Sequence, residues 1–158
     1  MRLTDTRQFH TPENVKKMSE GHALTDADRW DWLVLLREQA ILSLQSSQSS
    51  GVIVTCSALK RKYRDVLRIA AYHNPAIQVH FVFLNATEAI LMDRVRARQN
   101  HYMKDYMVHS QFESLEAPTM DERDVLSVDA GGNNVEVQKL AVGVYEKVMA
   151  EDAAGQRR

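Results

Sequence analysis

Apolar residues in the first fifty positions recur by threes and fours, while later ones gather in short β-branched runs, so the chain reads as helices giving way to alternating strands and helices. Thr11-Pro12-Glu13-Asn14 opens the first helix. The threonine hydroxyl accepts a hydrogen bond from a free backbone N–H, and proline suits the first helical position. This helix is short and ends near Gly21. Thr25-Asp26-Ala27-Asp28 opens a second one, predicted over residues 26–45, with Trp30, Leu33, Val34, Ala40, Ile41 and Leu44 as its apolar stripe. Residues 46–51 are a polar loop. Val52-Ile53-Val54-Thr55-Cys56 shows no alternation, which predicts a strand buried on both faces, as in a parallel sheet.

The pattern then repeats. A helix is predicted over 57–71, broken by His73-Asn74-Pro75, and a second buried strand over 79–84. Thr87 caps a helix reaching residue 98. Residues 99–104 are polar and aromatic without periodicity. A helix over 105–115, the breaker Ala117-Pro118, a strand over 125–128 and a helix over 134–149 complete the series. Strands alternating with helices predict one α/β domain over residues 1–150 with a parallel sheet, followed by a polar tail over 151–158.

Composition narrows the function classes. The chain is 44% hydrophobic and 26% charged, with a formal net charge of -1, so no overall field draws it to nucleic acid or an anionic membrane. No stretch approaches the roughly 18 apolar residues of a membrane span, and residues 1–7 carry no apolar signal segment. Cys56 is the single cysteine and has no internal disulfide partner, which fits a reducing, cytoplasmic compartment.

Three stretches carry the candidate chemistry. Cys56-Ser57-Ala58-Leu59-Lys60 leaves a buried strand, and Lys60 and Arg64 fall one helical turn apart, where they suit a carboxylate or a phosphate. The same spacing fits a solvated basic face with Cys56 as a small core residue. Arg94 and Arg98 share a face at a helix end, ahead of a segment suited to a lid over residues 99–104. They equally fit arginines that complement the helix dipole. In Ser110-Gln111-Phe112-Glu113-Ser114-Leu115-Glu116, Phe112 and Leu115 are expected to pack and Gln111 to offer its amide to a cleft.

Five motifs stand in order and at matching separations: His10-Thr-Pro-Glu-Asn14; Leu24-Thr-Asp-Ala-Asp-Arg29-Trp30; Cys56-Ser-Ala-Leu-Lys60 with Tyr63-Arg64-Asp65; Arg94-x-x-x-Arg98 with His101; and Ser110-Gln-Phe112 with Leu115-Glu116. Over residues 9–149 the chain resembles gluconokinase, in wording closer to fungal than to bacterial members. That family uses ATP and Mg to phosphorylate the 6-hydroxyl of D-gluconate, feeding the pentose phosphate route. The resemblance implies an α/β P-loop kinase fold of the shikimate and adenylate kinase type, with a parallel sheet flanked by helices and a mobile lid. It implies that His10 and Asn14 line the gluconate pocket, with Gln111 as a further substrate contact and Lys60 and Arg64 for the carboxylate. Arg94 and Arg98 would then be the lid arginines on the ATP phosphates, with His101 in the same lid.

Two departures qualify this. A P-loop, G-x-x-x-x-G-K-[ST], supplies the backbone cradle and the lysine for the nucleotide phosphates. None of the glycines at 21, 51, 131, 132, 143 and 155 is followed by lysine. The family carries that loop ahead of where this chain begins, so the resemblance implies a member truncated at its N-terminus, without the first strand and P-loop. The family also shows Asp-x-Asp before the matching histidine. Asp5 falls on the first carboxylate and Arg7 on the second, and a guanidinium cannot accept a hydrogen bond from a hydroxyl, so the catalytic residue is unassigned. Residues 1–8 are expected to lie outside the family pattern. Loss of a central strand is expected to leave the strands at 52–56 and 79–84 without their shared neighbour and the product aggregation-prone. The expectation is a family phosphotransferase with little or no activity in this form. The alternatives are a non-catalytic gluconate-binding or regulatory protein, and an interaction fragment whose sheet edges join a partner or a second copy in a homodimer.

Overall fold

The computed structural model describes residues 2–4, 9–46, 50–97 and 105–155. In chain order these form β1 (Arg2–Thr4), α1 (Pro12–Ser19), α2 (Asp26–Ser46), β2 (Val52–Val54), α3 (Arg61–His73), β3 (Phe81–Asn85), α4 (Glu88–Ala97), α5 (Asp105–Glu113), β4 (Val125–Asp129) and α6 (Asn134–Ala153). They gather into two compact units, Met1–Val79 with Val95–Ala117, and His80–Arg94 with Pro118–Arg158. No helix among the described residues is long and apolar enough to cross a membrane.

In the first unit, α1 begins as its cap dictates: the Thr11 side chain accepts from the Asn14 backbone N–H at 3.2 Å and Pro12 takes the first helical position. It stops at Gly21, whose φ of 84° is open to glycine at little cost. The Gly21 N–H donates to Met18 and the His22 N–H to Lys17, which satisfies two carbonyls of the last turn. A Cβ at Gly21 would also fall on the Tyr106 hydroxyl of α5. Thr25 and Asp28 bond reciprocally at the start of α2. Helices α2 and α3 pack on each other around Trp32, Leu33, Leu36, Tyr63 and Val66, with Phe9, Val54, Cys56, Ala58 and Leu59 against them. Strand β2 pairs in parallel with β1, Leu3 opposite Ile53.

The second unit is built on the parallel pair β3 and β4, with Phe83 opposite Ser127 and Asn85 opposite Asp129. Val128, Ala130 and Val148 are buried here. Helix α6 packs on β4 and opens with a capping box: Asn133 accepts from the N–H groups of Val135 and Glu136, and its own N–H donates to the Glu136 carboxylate at 2.8 Å.

Several expectations change. Residues 2–4, for which no strand was expected, pair as β1, for a backbone ladder needs no side-chain signature in so short a run. The strands are not buried on both faces: Ile53, Val82 and Leu84 are 39%, 40% and 53% exposed, because each ladder has two strands only. Among the described residues, β2 and β3 each have one strand partner. The predicted helix over 57–71 starts at Arg61, because the carbonyls of Ala58 and Leu59 are drawn to the Arg64 guanidinium instead of closing a helical turn. The polar tail starts later than residue 151. Helix α6 continues to Ala153, with Glu151 held by Lys147 at 3.9 Å and Asp152 facing His80 at 3.4 Å.

Candidate functional site

The start of α2 is where side chains from separate elements meet. Helix α1 is fixed there by Asn14, which is buried and donates through Nδ2 to the Asp28 carbonyl at 2.7 Å. Lys17 adds an ion pair that spans both Asp28 oxygens, at 2.7 and 2.9 Å. The Lys17 bond, then those from the Thr25 N–H and hydroxyl, hold the Asp28 carboxyl down at about 2. Asn14, a predicted gluconate contact, therefore serves in this structure to dock α1 on α2.

Two residues back, Asp26 gathers three donors from the opening of α3. Its Oδ1 accepts from Lys60 Nζ at 2.9 Å and from the Tyr63 hydroxyl, and its Oδ2 from Lys62 Nζ. The three hydrogen bonds, Lys62 foremost, hold the Asp26 carboxyl far below the ordinary carboxylate range. The Tyr63 ring lies beneath two cations, the Arg29 guanidinium and Lys60 Nζ, each 5.8 Å from its centroid. Arg29 is buried and donates through Nε to the Leu24 carbonyl at 3.4 Å.

Arg64, predicted to meet a carboxylate, is 3% exposed, and its Nη1 donates to the carbonyls of Ala58, Leu59 and Glu116 at 3.2, 3.4 and 3.1 Å. The Glu116 N–H returns a bond to the Leu59 carbonyl at 2.9 Å, and the Glu116 carboxylate accepts from the Arg61 N–H at 2.7 Å. A carboxylate thus caps α3, where the helix dipole favours it, in place of a cap from Lys60. Arg64 and Glu116 together shape the segment that presents Lys60.

His10 stacks on Trp32 with ring centroids 4.4 Å apart and planes 12° from parallel. Its Nδ1 is buried with no partner among the described residues, and burial, then the Arg29 charge, lowers its pKa. His10 is therefore neutral at pH 7. Gln111 is half-buried on α5.

Cys56 is no nucleophile: burial pushes its thiol up to about 12. Burial, then the bond to Asp26, raises the Tyr63 hydroxyl to about 12 as well. Both groups hold their protons more tightly folded than unfolded, so the stability they contribute is complete below about pH 8.5 and is lost as pH rises toward 12. The urea midpoint is expected to fall between pH 8 and pH 10.5. A midpoint that rises over this interval would contradict the burial of both groups.

The second unit holds an open cleft of about 320 Å³ at the carboxyl ends of β3 and β4, lined by Asn85, Ala86, Thr87, Ile90, Asp129 and Gly131. Thr87 Oγ1 accepts from the Ile90 N–H at 3.4 Å and Asp129 Oδ1 from the Gly131 N–H at 2.8 Å, so each strand turns over its own polar end. Open α/β sheets collect ligands at this end of their strands. Arg94, the first predicted lid arginine, donates through Nη2 to the Gly132 carbonyl at 2.5 Å. Asp5, Arg98, His101 and the predicted lid lie outside the described residues.

Of the predicted residues, His10, Lys60 and Arg64 belong to the first unit's cluster and its supports. Asp26, Arg29, Tyr63 and Glu116 were not singled out, although each stands inside a quoted motif. An acidic residue at a helix start reads as dipole chemistry, which hid Asp26.

No family model matches the chain. Individual proteins do. It is 41% identical over 144 residues to a probable gluconokinase of Schizosaccharomyces pombe, covering 91% of this chain and 74% of that protein. It is 36% identical over 132 residues to a probable gluconokinase of Saccharomyces cerevisiae, covering 82% and 67%. It is 38% identical over 128 residues to the thermosensitive gluconokinase of Escherichia coli, covering 81% of this chain and 65% of that protein. Among solved structures, a gluconokinase from Sinorhizobium meliloti 1021 superposes with a TM-score of 0.77 at 35% identity, covering 99% of this chain and 83% of that one. A sugar kinase from Janibacter sp. HTCC2649 matches with the same TM-score at 34% identity, covering 90% and 78%. With parallel strands and helices arranged as in these kinases, and 41% identity across 91% of its length, the chain belongs to the gluconokinase family of carbohydrate kinases.

Proposed function

We propose that the chain carries the sugar-acid half of a gluconokinase, the family reaction being ATP + D-gluconate to ADP + 6-phospho-D-gluconate, and that the 158 residues by themselves transfer phosphate poorly or not at all. The observation that carries the reading is the cluster of Lys60, Lys62, Arg29, Tyr63 and His10 around the start of α2. Its cations suit a carboxylate. In this role Lys60 meets the carboxylate, Gln111 contributes an amide, and Asn14 and Arg64 hold the elements that present those groups.

Mg-ATP fits the chain less well. Among the described residues no three of His, Cys, Asp and Glu converge to hold a metal ion, and no glycine is followed by lysine anywhere in the 158 residues. When bound in a complete kinase, the metal and the P-loop neutralise charge on the transferring phosphoryl group. Arg94, Arg98 and His101 are the groups this chain would add on the phosphate side. In this structure Arg94 is engaged by the Gly132 carbonyl, which it would release to serve there. A cytoplasmic protein serving the pentose phosphate route fits the reading.

Calorimetry separates the two halves. D-gluconate is expected to bind the purified chain with a saturable heat, and ATP with Mg to give none in the same range. Tight ATP binding by these 158 residues would overturn the proposed division. Gluconate binding without any transfer also fits a second reading, a non-catalytic gluconate-binding protein, which the intact first-unit cluster favours.

A further inference from the structure

We propose that Asp26 is a built-in competitor for the substrate's carboxylate: it occupies Lys60 and Lys62 in the empty site, and a sugar acid binds by displacing it. The inference rests on the gluconate reading above and deepens it, by making Asp26 the group that a sugar acid must displace.

The geometry is that of one carboxylate shared by two ammonium groups. Oδ1 takes Lys60 at 2.9 Å together with the Tyr63 hydroxyl, and Oδ2 takes Lys62. A ligand carboxylate would present the same pair of oxygens to the same donors. The Asp26 side chain is 42% exposed, and those of Lys60 and Lys62 are 25% and 48% exposed. Ion pairs this open to water contribute little to stability, so exchanging one carboxylate for another costs little. Both lysines have flexible stems that can follow the incoming group.

Charge favours the exchange. Lys60 and Lys62 share the one Asp26 carboxylate, and Arg29 adds a third cation over the Tyr63 ring, so positive charge remains in excess while Asp26 is bound. Of the neighbouring acids, Asp28 is held by Lys17, while Glu116, which caps the Arg61 N–H, offsets part of that excess at Tyr63. His10 is kept neutral by burial and by Arg29. An arriving anion therefore gains from the excess, whereas a neutral polyol brings no charge to replace Asp26 and must leave the lysines where they are. Asp26 thus lowers affinity for the acid and leaves that for a neutral polyol as it is, so discrimination comes from the lysines and is sharpened when Asp26 is removed.

The test compares wild type with Asp26→Asn in calorimetry against D-gluconate and sorbitol, which has the same carbon chain without the carboxylate. Asp26→Asn is expected to bind gluconate roughly tenfold more tightly, with sorbitol unchanged. Gluconate binding that is weakened or unaltered by Asp26→Asn would overturn the competitor role while leaving the gluconate reading intact. Absence of gluconate binding by both proteins would overturn the reading, and the inference with it. A second measurement needs no variant to fold. In wild-type protein labelled with 13C at aspartate carboxyls, the Asp26 resonance is expected to shift on adding gluconate and to stay in place with sorbitol. An Asp26 signal that gluconate leaves unmoved would count against displacement.

Discussion

Leu33→Ala is expected to destabilise the folded chain by about 3 kcal/mol, read as a lower urea midpoint with an unchanged slope. Leu33 is fully buried at the centre of the cluster formed by Trp32, Leu36, Tyr63 and Val66, where α2 meets α3. Truncation removes buried apolar surface and leaves a hole that neighbours on two helices cannot close without moving. Val34→Ala is the control. Val34 is 38% exposed, so the same helix loses under about 1 kcal/mol there. Equal losses at both positions would mean that α2 presents a different face to α3.

Arg64→Ala is expected to cost a comparable amount, about 2–4 kcal/mol, for a different reason. It withdraws a buried guanidinium from three backbone carbonyls, and those of Ala58 and Glu116 would be left in search of partners. Arg64→Lys keeps the charge but offers a point-like ammonium in place of a planar fork, so it should recover only part of the loss. If Arg64 instead served the substrate as the motif suggests, Arg64→Lys would fold with wild-type stability and lose gluconate affinity. Melting and calorimetry on the same two variants separate these roles.

The elements that were legible are those whose causes are local. Thr11, Thr25 and Thr87 announce three helices, because a cap is decided by the residue and its next three neighbours. The buried face of α2 was not legible. Apolar residues run nearly all round its first turns, and the face that packs is Arg29, Trp32, Leu33 and Leu36, led by an arginine. The irregular segment before α3 was hidden for the opposite reason: Arg64 binds it to Glu116, 52 positions away. In the site, the motifs pointed to Lys60 and His10 but could not show that Lys60 is already engaged by Asp26 or that Arg64 and Asn14 are committed to backbone carbonyls. Those facts depend on which helices meet.

The separation of a sugar-acid site from a nucleotide site is tested most directly by product formation. The 158-residue chain, purified free of other kinases, is given D-gluconate, ATP and Mg, and 6-phosphogluconate is followed with a coupled dehydrogenase. No product above background is expected from the chain alone, and turnover is expected once a relative's strand, P-loop and helix are supplied ahead of it. Formation of 6-phosphogluconate by these 158 residues at an ordinary kinase rate, about 1–100 per second, would contradict that separation.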